Sequence, residues 1–185
     1  MNLAVLWRCR CPGSIFNGLE QAVGPRPVGT LAEMANTTAD ARAQMLEVVA
    51  DATDRIAFGL ASLGEAYELL DEASADRLER DLFGPVQAAY GRAKRTHAEF
   101  AKRHSLSEHT FAQSPPGSSR DGARGLIGQA VEAIAEADGV LSSLQDSMMP
   151  VELGDPQFRA GLQEVRQTIG NLRASARELL RVLGR

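Results

Sequence analysis

The stretch Ile127–Met148, IGQAVEAIAEADGVLSSLQDSM, decides the fold. Its apolar residues fall at Ile127, Ala130, Ile134, Ala137, Leu141, Leu144 and Met148, in steps of three and four. That spacing lines them along one face of an α-helix. A single helix cannot hide such a seam, so other helices must pack against it. Three further stretches supply partners. Met45, Val49, Ala52, Ile56, Leu60, Leu63, Tyr67 and Leu70 form one seam, and Val86, Tyr90, Ala93, His97, Phe100 and His104 a second. Phe158, Leu162, Val165, Ile169, Leu172, Ala176, Leu179 and Leu183 form the last. At about 1.5–3 kcal/mol for each apolar side chain buried, these seams carry the stability.

Local signals set the ends of the rods. Thr37 or Thr38 is placed to N-cap the first, with Asp40 in its opening turn. Residues 73–84 read as a connector, and Gly84–Pro85 as the entrance of the second rod. Residues 105–120, with ProProGly at 115–117, form the longest loop and divide the chain into two hairpins. The third rod stops before Pro150. Asp155 and Pro156 give agreeing N-cap and first-turn signals for the fourth, which Gly184 would close. The expected helices span about 38–73, 85–104, 120–149 and 156–183. The expected fold is all-α: an antiparallel up-down-up-down four-helix bundle over residues 37–185, following an N-terminal extension, residues 1–36. The extension has no helical period, and it reads as disordered or as an over-extended start, with Met34 as a later one. Gly59 and Gly64, beside the first seam, mark either a bend or a close approach by a neighbour.

Charge favours that topology. Residues 37–74 carry eight acidic and two basic side chains, 85–104 one and five, 120–149 five and two, and 156–185 two and six. In an up-down-up-down ring every neighbouring pair would then be oppositely charged. Exposed ion pairs are worth only about 0–1 kcal/mol each, so the pattern acts by disfavouring wrong arrangements. Arg159, Arg166 and Arg173 each follow a seam residue and form a basic shoulder suited to an acidic neighbour.

The bulk composition excludes several classes. The net charge of −4 gives no general attraction to nucleic acid or anionic lipid. No apolar run approaches the roughly 20 residues of a bilayer span. Cys9 and Cys11 are the only cysteines, too few and too close for a disulfide framework or a four-cysteine zinc site. That usage suits a reducing cytoplasm.

No residue set points to catalysis, a cofactor or a metal. His97 and His104 share a seam, but a spacing of seven puts them about 10 Å apart along the axis, too far to share one ion easily. The basic run Arg92, Lys94, Arg95, Lys102 and Arg103 lacks interleaved stacking aromatics, which makes a nucleic-acid role secondary. Asp146, Glu152 and Asp155 cluster at one turn and read as helix-end caps. Phe58 lies on the far face from its seam, where an exposed aromatic invites a partner. Tyr67-x-x-x-Asp71 matches the short tetrad of substrates of the specialised actinobacterial secretion system, although the Trp-x-Gly turn that usually accompanies it is missing.

The segment 141–155, the following PheArgAlaGlyLeuGlnGluValArg and the terminal LeuLeuArgValLeuGlyArg resemble a group of small actinobacterial helical proteins with no established activity. The resemblance extends more weakly through the first two helices and implies a helical bundle, with no catalytic residue to transfer. The expectation is therefore a non-enzymatic, cytoplasmic protein that binds another protein or itself. The alternatives are a secretion substrate or adaptor using Tyr67 and Asp71, and a nucleic-acid-associated protein using the basic second and fourth rods.

Overall fold

The computed structural model describes residues 31–183, with side chains from Thr37 onward. What is expected of residues 1–30, Cys9 and Cys11 included, and of Gly184 lies outside the described residues. Among the described residues the chain is all-helical. The helices are α1 (Leu31–Glu68), α2 (Glu72–Leu78), α3 (Gly84–Arg103), α4 (Gly122–Asp146), α5 (Met149–Glu152), α6 (Pro156–Gly170) and α7 (Leu172–Leu183).

Several ends differ from expectation for local reasons. Helix α1 runs through the expected cap at Thr37 and Thr38, because the preceding Leu-Ala-Glu-Met-Ala at 31–35 are strong helix formers. It ends at Glu68, and Asp71 then caps α2 by accepting the Ser74 N–H at 3.1 Å. The expected connector, residues 73–84, is helical almost throughout. Helix α2 passes into a π turn, Glu79–Phe83, and straight on into α3. Pro85 therefore sits inside a continuous rod instead of opening one. A proline there has no N–H to give and crowds the carbonyl four residues back. The wider turn, in which the Gly84 N–H reaches the Glu79 carbonyl, absorbs the misfit. Gly170 and Asn171, both weak helix formers, split the last rod into α6 and α7. Asp155 caps α6 as expected, accepting the Phe158 N–H at 2.8 Å.

The seams meet in one aliphatic core that includes Met45, Ile56, Phe100, Ile127, Leu141 and Phe158. Two apolar seam positions do not join it. Tyr67 is 37% exposed and Met148 51% exposed. In both places the apolar period continues in the sequence after the helix has ended or is about to end. Met148 follows the end of α4 with a left-handed φ of 64°.

The neighbour order differs from the expected ring. Helix α1 packs on α3 and most extensively on α4, while α3 packs on α6, and α4 on α6 and α7. Neither α1 with α6 or α7, nor α3 with α4, makes substantial contact. Like-charged rods therefore lie side by side instead of diagonally. Arg42 of α1 donates to the Leu153 carbonyl at 3.0 Å, and Arg55, further along α1, pairs with Glu136, earlier in the chain.

Glycine seats explain why charge loses. A Cβ at Gly59 would lie 2.9 Å from Ile134 Cγ1 and 3.2 Å from the Ala130 carbonyl, so α1 and α4 close on bare backbone. Gly161 does the same for α6, where a Cβ would collide with the Thr96 side chain of α3. Close packing along whole helices outweighs exposed charge pairs of about 0–1 kcal/mol. The long connection makes the order possible. Residues 104–121 return along the length of the rods, a distance a short loop could not cover.

Candidate interaction surface

The pairing of α1 with α4 creates a shallow groove on their outward side. Val48, Gly139, Val140, Leu144 and Met149 line its lower part, a hollow of about 630 Å³. Phe58, Ala133, Gln129 and the carboxylates Asp51, Asp54 and Glu132 line an upper hollow of about 460 Å³. Arg55 and Glu136 border both hollows, and their ion pair crosses the groove between the two. Along α4 the groove runs from Gln129 to Ser147, about 27 Å at the helical rise. The floor is largely aliphatic and the rim is acidic. Arg55 is the one basic residue that lines it among the described residues. It bridges Asp51 at 3.1 Å and Glu136, leaving the rim with surplus negative charge. Phe58, singled out from the sequence, is half-buried and faces this groove. Near the lower end, Met148 and Val151 add exposed apolar surface, Val151 at 54%.

The opposite side, where α3 meets α6, is basic, and much of its charge is already matched. Arg92 pairs with Glu164 at 2.7 Å, and Arg103 with Asp155 at 2.8 Å. Burial pushes the Asp155 carboxyl up. The Arg103 guanidinium, the Phe158 N–H and His104 outweigh that and hold it below the usual carboxylate range. The expected basic shoulder is divided among separate tasks. Arg159 holds the Pro150 carbonyl at 3.3 Å and the Gly154 carbonyl at 3.4 Å. Arg166 reaches Asp138 at 2.9 Å and Gln145 at 2.6 Å across to α4, and Arg173 is exposed.

The returning connection forms a strap over α1. His97, 2% exposed, packs edge-on against Phe111 at 5.4 Å and His109 at 6.0 Å between centroids. Lys94 sits over the Phe111 ring, and His109 Nε2 lies 3.7 Å from Asp54. Further on, the Gly117 N–H donates to Ser62 Oγ at 2.9 Å, and Gln129 exchanges two bonds with the Ser118 backbone. Burial pushes the His97 imidazole below its ordinary value, with His109 adding to this and Glu108 opposing it. Its Nδ1 has no hydrogen-bond partner among the described residues. His104 instead packs at a tilt against Phe100, 4.4 Å between centroids, and lies 3.4 Å from Asp155, so the two seam histidines occupy separate sites.

Sequence reading missed His109 and Phe111, which sit in a loop read as rich in Ser, Pro and Gly. The available signal was an aromatic residue and a histidine in an otherwise polar stretch. Tyr67 and Asp71 are also separated in role, with Tyr67 exposed in the last turn of α1 and Asp71 capping α2. Hydrogen bonds to the Ser74 hydroxyl and N–H hold the Asp71 carboxyl below its ordinary value. Among the described residues no three His, Cys, Asp or Glu side chains are placed to hold a metal ion. Nor is any helix there long and apolar enough to cross a membrane. No family model, curated protein or solved structure matches this chain.

Proposed function

We propose that this chain is a four-helix bundle, with ring order α1, α3, α6/α7, α4, that acts without catalysis by binding another protein in the cytoplasm along its α1/α4 groove. The observation that carries this reading is the groove itself: two solvent-open hollows with apolar surface, set end to end over about 27 Å of α4 on either side of the Arg55–Glu136 ion pair. Gly139 offers a test, because it borders the lower hollow and a Cβ added there meets nothing within 4 Å. Tagged wild-type and Gly139→Gln proteins are purified from the source cell and sized by light scattering. A partner retained by the wild type and lost from the variant supports the reading. Equal recovery of the same partner with both contradicts it.

A second reading is favoured by one observation. The two basic rods, expected to be diagonal, are adjacent, and Arg95 and Lys102 of α3 are exposed. Filter binding to duplex DNA and RNA over a salt series decides it, since phosphate contacts weaken steeply as salt rises. The pairing of Arg92, Arg103 and Arg166 within the chain leaves this side less charge to offer than the sequence suggests. The export reading rests on the Tyr67 and Asp71 tetrad alone. Secretion of a Tyr67→Phe variant is its test.

A further inference from the structure

We infer that the occupant of the α1/α4 groove is a basic amphipathic helix of about eighteen residues, the length of α4 that the groove follows. The inference rests on the groove being the binding surface and adds the chemistry of what fills it. Two features of the groove specify the partner. The floor of Val48, Phe58, Val140 and Leu144 takes an apolar stripe. The rim of Asp51, Asp54, Glu132 and Glu136, faced by Arg55 and, at Asp54, by His109, takes Lys or Arg side chains flanking that stripe.

A second copy of this chain fits less well. Its basic α3/α6 side is complementary in charge, but the large exposed apolar side chains among the described residues are Tyr67, Leu69, Met148 and Val151. None lies on α3, α6 or α7, so a copy docked by that side would leave the floor unfilled. Such a contact would also be head-to-tail, which builds rings or filaments and not a simple two-fold dimer.

The test uses three synthetic eighteen-residue peptides with leucines at steps of three and four, flanked by Lys, by Gln or by Glu. Each is titrated against the full chain by fluorescence anisotropy at low and physiological salt. The Lys peptide is expected to bind at least about tenfold tighter than the Gln peptide, with the Glu peptide weakest, and to weaken as salt rises. Gly139→Gln is expected to weaken the Lys and Gln peptides alike, and Glu132→Gln the Lys peptide alone.

Equal binding of the Lys and Gln peptides, both weakened by Gly139→Gln, overturns the basic partner and leaves the groove as a binding surface. Absence of binding by every peptide up to about 1 mM, or binding indifferent to Gly139→Gln, overturns both. A wild-type dimer that Gly139→Gln converts to monomer identifies a second copy as the occupant and overturns the basic helix.

Discussion

The acidic pair, α1 with α4, and the basic pair, α3 with α6, are built alike and finished differently. Each brings like-charged rods together over a glycine, Gly59 in one and Gly161 in the other. On the basic side the few acids are spent well: Glu164 and Asp155 each meet an arginine across the interface. On the acidic side one arginine, Arg55, serves two carboxylates, while Glu132 and an apolar floor stay open to solvent. Packing alone decides which rods touch, and the distribution of the minority charge decides which side is complete and which can still bind.

The largest expected effect breaks the seat on the completed side. Gly161→Val should cost about 2–3 kcal/mol in urea unfolding, since the new side chain must displace Thr96. Thr96→Ala in the same chain should recover part of that loss. Failure to recover would mean that the seat is not what closes α3 on α6. Gly59→Ala should cost less, because its Cβ would come no nearer than 2.9 Å to Ile134, whereas a Cβ at Gly161 would lie much nearer to Thr96 Oγ1.

Next comes Asp155, which both caps α6 and holds Arg103. Asp155→Ala should lower stability by about 1–2 kcal/mol in the same assay. Its folded pKa is below the unfolded value near 3.9, so its contribution is present above that pH and is lost as pH falls through the lower folded value. The destabilisation caused by the substitution should therefore shrink in strong acid.

His97 gives a smaller effect in a different window. Its folded pKa is lowered, so below about pH 6.5 the unfolded chain takes up the proton first and stability falls. His109, Glu108, Lys94 and Asp54 surround it from the strap, α3 and α1, and Glu47 of α1 lines the same hollow. His97→Leu should flatten the slope of melting temperature against pH between about 6.5 and 5. An unchanged slope would assign the acid sensitivity to another group. The smallest effect is Met148→Gly, which relieves a left-handed residue and should raise stability by about 0.5–1 kcal/mol.

The faces of the helices were legible because burial enforces a period, and Met45 to Leu63, Ile127 to Leu144 and Phe158 to Leu179 follow it. The cap at Asp155 was legible because it and Pro156 give the same signal. Tyr67 and Met148 misled because a period in sequence carries no mark of where the backbone stops being helical. Pro85 misled because a π turn lets a proline sit inside a rod. The ring order was hidden for a deeper reason. It depends on what Gly59 and Gly161 meet on other rods, information that no single helix contains, whereas the charge pattern was plain to read and energetically weak. The groove followed from that order, so of its residues only Phe58 was visible beforehand as a surface feature.

The most direct measurement compares two exposed positions, Gly139 on α4 beside the groove and Arg95 on α3, which has no substantial contact with α4. A photo-cross-linking amino acid is placed at each in turn, and the source cells are irradiated. The account predicts a discrete adduct to another protein from position 139 and none from position 95. Adducts from 95 alone, or the same adducts from both, would contradict it.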